Sequence, residues 1–327
     1  MDHIHYLQHY RHRKLMGELK IPYVLLKRMS LSDIITKNKP KINPRTAKGY
    51  LDSVSIVARA LKLDLSTLPA VLKHADKIFD YIKKTYKPNS RKTRLAAFVV
   101  LIDDKTNTHK AILDKFRKEV FDCAGVVMKR EEEQKLNESQ EKAFMPWEDV
   151  MKVYQRLKGE TAPLWRSNVS NVNKTRIRDF VLLSMYVLIP PRRSADYYNF
   201  KIRDIDRKKD NYVVDDQLVF NSYKNSAKIG QQEVKAPKEL IDLIHKWTKI
   251  NKSEWLIPSN SGTQMSQTGL TGILNRVFGR KISSSMLRHI YLTKRYGDVD
   301  LQDLNETTRK MGSNVIERTL KYVRKEK

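Results

Sequence analysis

The stretch 175–189, TRIRDFVLLSMYVLI, constrains the fold more than any other run in the chain. It reads as a buried helix, and Pro190 and Pro191 stop it, because proline lacks the N–H a continuing helix needs and its ring clashes with the preceding turn. Arg192 and Arg193 follow at once. The chain therefore places two cations at the end of a core element, where a solvated face would be the ordinary place for them.

The rest of the 327 residues leaves room for two domains with full cores. Residues 1–29 form a basic, His-rich lead. In SLSDII, Ser30 or Ser32 offers a helix cap. INPRTAKGYLDSVSIVARALKLDL carries Tyr50, Leu51, Val54, Ile56, Val57 and Leu61 at roughly helical spacing, and LSTLPAVLKHADKIFDYIKKTY and SRKTRLAAFVVLIDD continue in that style. Residues 30–128 thus predict a bundle of four or five helices with basic outer faces. KREEEQKLNESQEKAF, at 129–144, is the most polar stretch and reads as a linker or a solvated helix. A restart follows at MPWEDVMKVYQRL, with Pro146 in first-turn position and acids near the start. Within 145–327, YVVDDQLVFNSYK and GQQEVKAP read as short strands joined by turns. KELIDLIHKWTKI returns to helix, and three more helical pieces run to the end. The expected class is mainly α (α+β): a helical N-terminal domain, then a mainly helical domain with a small antiparallel sheet.

Composition decides the partner class. With 64 Lys and Arg against 37 Asp and Glu, the net charge is +27, which favours a polyanion. Hydrophobic content of 40% is too high for a disordered basic tail. Cys123, the only cysteine, excludes an internal disulfide or a cysteine-based zinc site and fits a reducing compartment. No apolar run approaches a membrane span, and the N-terminus lacks the apolar core of a secretory signal. Nucleic acid is the favoured polyanion, with no membrane partner and no metal or cofactor expected.

Further basic residues stand at the ends of elements. Lys224 closes a strand before a turn-like NSAKIG, Arg288 opens the helix SSSMLRHIYLTKRYG, which Ser284 or Ser285 would cap, and Tyr322 lies in NVIERTLKYVRKEK. Each has a bland explanation: a solvated arginine, a solubility lysine, a packing tyrosine with its hydroxyl in water. Their order and spacing resemble the tyrosine recombinase/integrase family. IPPRRSADYYNFKIRDID is similar to that family's first arginine box, aligning Arg193 as the arginine and Asp196 as the acid, with Arg192 the alternative by a one-residue slip. SYKNSAKIGQQEV is similar to the β-hairpin box, with Lys224 as its lysine and Lys228 as second choice. SSMLRHIYLT resembles the second arginine box, giving Arg288 and His289, and MGSNVIERTLKY resembles the last box, giving Gly312, Thr319 and the nucleophile Tyr322. The Pro-Pro-Arg-Arg form resembles versions found in large DNA viruses and their virophages.

The resemblance implies a recombinase catalytic domain at 145–327 and a DNA-clamping core-binding domain at 30–128. It also implies DNA cleavage and rejoining through a covalent 3′-phosphotyrosyl link, without metal or ATP. Two arginines would hold the non-bridging oxygens with planar forks that keep their charge near neutral pH, and at a helix N-terminus Arg288 would gain backbone N–H groups for the same phosphate. Lys224 would protonate the leaving 5′-oxygen. Two positions depart from the pattern: Ser285 and Ser313 stand where the family has a histidine and a histidine or tryptophan, and serine is a poor general base. His289 either assists from its place beside Arg288 or is a buried structural residue. Arg192, Lys228, Lys39, Lys41, Arg45, Lys48, Lys87, Arg91, Lys92 and Arg94 are the candidate DNA contacts. By family analogy the chain acts as a tetramer on double-stranded DNA, is a monomer when free, and works inside the cell where its target DNA lies.

Three rivals remain open. A type IB topoisomerase shares the same active-site logic. A DNA-binding relative that lost catalysis fits Ser285 and Ser313. A metal-dependent nuclease would need clustered carboxylates, and the visible pairs, Asp103–Asp104 and Asp215–Asp216, read as a helix-end turn and a hairpin turn.

Overall fold

The computed structural model describes residues 29–103, 108–132, 136–166, 169–296 and 301–312. Residues 1–28 of the expected 1–29 arm, Asp104, Ser313, Thr319 and Tyr322 lie outside them. The chain forms two compact units, Met1–Arg130 and Glu131–Lys327.

Among the described residues the first unit holds six helices: α1 (Leu31–Asn38), α2 (Pro44–Leu61), α3 (Leu68–Lys73), α4 (Ala75–Thr85), α5 (Pro88–Ile102) and α6 (Lys110–Glu132). Six elements replace the expected four or five because LSTLPAVLKHADKIFDYIKKTY breaks at His74, whose backbone leaves helical geometry. Starts follow from local chemistry. Ser30 and Asp33 close a capping box on α1, Asn43 caps α2 ahead of Pro44, and Thr67 caps α3 ahead of Pro69. The apolar stripes meet in a core of Ile34, Ile35, Val57, Ile78, Leu95, Phe98 and Phe116, where Phe116 tilts against Phe79 and Phe98 at ring-centroid distances of 5.2 and 6.3 Å.

α5 is fixed to α6 by charge as well as by packing. Arg91 Nη1 donates to Glu119 Oε1 at 2.8 Å, and Lys83 Nζ stands 3.4 Å from Oε2. Burial pushes the Glu119 carboxyl up, but the hydrogen bonds from Arg91 and Lys83 outweigh it and hold the group below its ordinary value. Arg94 stacks on the Tyr86 ring, its guanidinium carbon 4.3 Å from the centroid. Arg91 is thus a strut between helices.

The described helices of the second unit are α7 (Glu138–Ala143), α8 (Trp147–Thr161), α9 (Asn171–Val187), α10 (Ser194–Tyr198), α11 (Ser226–Ile229), α12 (Lys238–Ile250), α13 (Gln267–Phe278), α14 (Ser284–Tyr296) and α15 (Leu301–Lys310). A 3₁₀ turn at Ala162–Leu164 follows α8. The polar stretch 129–144 is partly helical, since α6 runs to Glu132 and α7 begins at Glu138. β1 (Tyr212–Val214), β2 (Gln217–Phe220) and β3 (Gln232–Lys235) form an antiparallel sheet in sequence order, with Val213 opposite Leu218 and Leu218 opposite Val234. Asp215, at φ +50°, turns β1 into β2. α9 is the buried helix: Ile177 through Tyr186 are all buried. Even its charged pair Arg178–Asp179 is inside, because Asp179 also receives Arg276 at 2.6 Å and Arg178 reaches the Pro258 carbonyl at 3.1 Å. Among the described residues no helix is long and apolar enough to cross a membrane.

All four tryptophans, at 147, 165, 247 and 255, belong to the second unit, so amide hydrogen exchange is the measurement that reports on the first. Glu119→Gln should cost about 1–2 kcal/mol of α5 and α6 protection at neutral pH. Because the folded-state value of Glu119 is depressed, its stabilisation is present above the unfolded value and is lost as pH falls through the folded one. Wild type and variant should therefore converge in acid, and a gap that persists undiminished there contradicts the assignment.

Candidate functional site

The turn after α9 is pinned before any charge is placed. The Tyr197 hydroxyl donates to the Met185 carbonyl at 2.9 Å and accepts the Arg192 backbone N–H at 2.9 Å, so the short helix α10 folds back onto the end of α9. The Tyr186 and Tyr197 rings meet edge to face at 4.7 Å. Pro190 and Pro191 end the helix, and Arg193 becomes the residue preceding α10.

The two arginines then part. Arg192 is fully buried: its Nε donates to Asp196 Oδ2 at 2.8 Å, its Nη2 to Gln232 Oε1 at 3.0 Å, and its Nη1 to the Lys310 carbonyl. Its face stacks on Phe220, 3.9 Å from the ring centroid. This corrects the expectation of Arg192 as a DNA contact, because every edge of its guanidinium is taken by the protein. Arg193 is half-buried, and its Nη1 donates to the Gly312 carbonyl at 3.3 Å.

That carbonyl is a meeting point. Asn225 Nδ2 donates to it at 3.1 Å, which brings the residue after Lys224 to the same atom as Arg193. Gly312 has φ +72°, the left-handed region that favours glycine, at the end of α15. Lys224 is exposed in the turn leading into α11, four residues beyond β2, and Lys228 is exposed on α11. The expected turn NSAKIG thus contains a helical turn, Ser226–Ile229.

The connection to α14 is equally direct. Ser194 Oγ and Ser284 Oγ are 2.8 Å apart, joining the starts of α10 and α14. Ser283 caps α14, its Oγ accepting the Met286 N–H at 3.2 Å, so neither Ser284 nor Ser285 is the cap. Arg288 consequently lies in the second turn, where backbone N–H groups are already committed to the helix, as Leu287 N–H is to the Ser283 carbonyl at 3.0 Å. The expected backbone contribution to its phosphate grip therefore falls away at Arg288 itself. Arg288 and His289 are buried, whereas Ser285 is exposed.

Asp196 is fully buried among these groups. Burial raises its carboxyl above the ordinary value, opposed by Arg192 first and then by Arg193 and Arg288. Its Oδ1 accepts no hydrogen bond among the described residues, which is why the desolvation is not fully offset. The structure thus gathers Arg193, Arg288, Asp196, the Lys224 turn and Gly312. Among the described residues no group of three or more His, Cys, Asp or Glu is placed to hold a metal ion.

Sequence reasoning missed Asn211. Fully buried, it donates from Nδ2 to the Asp196 and Ser222 carbonyls, both at 2.9 Å, and its Oδ1 accepts the N–H groups of Asn221 at 2.9 Å and Ser222 at 2.7 Å. It ties α10 to the root of the Lys224 turn. Gln232 was missed too: its Nε2 donates to the Arg309 carbonyl at 2.8 Å while its Oε1 receives Arg192. An amide side chain in a polar stretch gives no periodicity signal, so nothing in the sequence marks either one.

In the first unit Lys41, Arg45, Lys48 and Lys87 are exposed, while Lys39, Lys92 and Arg94 are half-buried.

No protein-family model matches the chain, and no curated protein matches it in sequence. Solved structures do match in fold. A lambda integrase tetramer bound to a Holliday junction aligns with 98% of this chain and 86% of its own at TM-score 0.54 and 13% identity. A lambda integrase dimer bound to a COC′ core site aligns with 98% of this chain and 86% of its own at TM-score 0.50 and 14% identity. A lambda integrase fragment dimer on a COC′ core site aligns with 88% of this chain and 96% of its own at TM-score 0.51 and 15% identity. None of these bears on the resemblance of the Pro190–Arg193 turn to viral forms. The chain has the tyrosine recombinase/integrase fold.

Proposed function

We propose that the chain is a site-specific DNA recombinase of the integrase type, with Tyr322 as nucleophile and Arg193, Arg288 and Lys224 around the reacting phosphate. The observation that carries this reading is the Gly312 carbonyl, which receives Arg193 and the neighbour of Lys224 together. Ser194 and Ser284 join the Arg193 and Arg288 helices beside it.

In the proposed reaction the Tyr322 oxygen attacks phosphorus, the P–O5′ bond breaks, and a 3′-phosphotyrosyl link forms. Lys224, exposed on its turn, gives its proton to the departing 5′-oxygen, and the phenol's proton passes to solvent because position 285 is serine. Negative charge on the non-bridging oxygens is met by fixed guanidinium groups, a task for which arginine serves in place of a metal. The ester keeps the bond energy, so the reverse attack by another 5′-hydroxyl rejoins strands without ATP. The first unit is the DNA clamp, with Lys41, Arg45, Lys48 and Lys87 as phosphate contacts. The working form is a tetramer on two duplexes, assembled from free monomers. The likeness to an integrase tetramer on a Holliday junction supports the tetramer.

A second reading, a DNA-binding relative without catalysis, is favoured by one observation: exposed Ser285 occupies the place of a proton acceptor. A suicide duplex, incubated without metal, separates the two. Wild type should yield a protein–DNA adduct on a denaturing gel, and Tyr322→Phe should yield none. Arg193→Ala should slow adduct formation by about 10²–10³-fold while leaving duplex binding within a few-fold. An adduct retained by the Tyr322→Phe protein overturns the nucleophile; no adduct from wild type favours the binding reading.

Binding itself should be steeply salt-dependent. With ~6–10 phosphates neutralised, affinity should fall roughly 10³–10⁵-fold between 50 and 200 mM salt. A flat salt profile by fluorescence anisotropy contradicts the clamp.

A further inference from the structure

We propose that Arg192 is a positioning residue that anchors the C-terminal end of α15, and with it the starting point of the chain leading to residue 322. The inference rests on the recombinase reading for its catalytic consequence and on geometry alone for the anchoring. Helices end with carbonyls that no residue of their own can satisfy. At the end of α15, Arg192 Nη1 caps the Lys310 carbonyl from outside, and Gln232 Nε2 donates at 2.8 Å to the Arg309 carbonyl, which also accepts the Gly312 N–H at 2.8 Å. Gln232 in turn accepts Arg192 Nη2 at 3.0 Å, so both contacts from outside the helix trace to one guanidinium. A cation at that pole also opposes the negative end of the helix dipole.

The same guanidinium holds α10 through Asp196 and covers Phe220 at the end of β2 and Tyr223 before the Lys224 turn, at centroid distances of 3.9 and 5.2 Å. A Cβ on Gly312 would come within 2.9 Å of Arg192 Nη2, so Arg192 also bounds the space through which the backbone turns at 312. Lysine cannot reproduce this, because one ammonium has neither the three divergent edges nor the flat face of a guanidinium. Arg193 handles phosphate in this scheme, and Arg192 sets where the last segment departs.

The test uses the full-length chain and two variants. Gln232→Met removes the bridge to Arg309 but leaves the buried Arg192–Asp196 pair intact, so it folds even if Arg192→Lys does not. Hydrogen exchange of the 307–312 amides should rise about tenfold or more in Gln232→Met, and further in Arg192→Lys, while α9 amides keep their wild-type protection. Single-turnover cleavage should fall by about 10–100-fold with duplex Kd within about twofold, since small misplacement of a reacting group has that effect. A purely structural role would change the unfolding midpoint without separating Kd from the cleavage rate. Unchanged exchange at 307–312, or faster exchange with an unchanged cleavage rate, overturns the proposal. If wild type forms no adduct, the recombinase reading fails by itself and the exchange arm still decides the anchor.

Discussion

A guanidinium and a carboxylate are withdrawn from water together where Arg192 meets Asp196, and the second unit is organised around that pair. Desolvating two charges costs several kcal/mol per ion, and attraction alone rarely offsets it. Here the compensation is shared. Arg192 spends its donors on a carboxylate, an amide oxygen and a helix-end carbonyl, and its face on an aromatic ring. Those partners come from four elements, so the guanidinium is fully satisfied only when α10, β2, β3 and α15 are all in place. A buried ion pair is weak evidence for stability but can specify one arrangement over its neighbours, and that is the use the geometry gives it here.

From this knot the candidate site follows by short steps. Asn211 hangs the Lys224 turn from the Asp196 carbonyl. Gly312 presents its carbonyl to Arg193 and Asn225. Ser194 brings α14 alongside. Most of the bonds that locate the proposed catalytic groups therefore involve backbone carbonyls or small polar side chains, which are rigid once satisfied. The proposed constellation is assembled by a neutral polar scaffold wrapped round one buried charge pair.

The first unit works differently. Its core is apolar helix on helix, and its charges act either as struts, like Arg91 on Glu119, or at the surface, like Lys41, Arg45, Lys48 and Lys87. An arginine in a basic segment therefore carries no fixed meaning. Its role depends on whether an acid waits within reach on the next helix, which the segment itself does not contain.

The sequence by itself determined the class of fold and much of its punctuation. The mainly α architecture, the buried helix stopped at Pro190, the small antiparallel sheet and the helix 238–250 follow from apolar periodicity and from what proline and short polar residues do to a backbone, all local physics. Through the resemblance of its boxes it also put forward Arg193, Arg288, Lys224 and Gly312 as candidates. It left Arg192 and Arg193 exchangeable, misplaced the cap of α14 by one serine, and passed over Asn211 and Gln232. Only the tertiary structure decided these. Which of two adjacent arginines turns inward depends on Gln232, Phe220 and the end of α15, the last more than a hundred residues away in the chain. A hydrogen bond's partner is fixed by distance in space, and no periodicity along the chain encodes it.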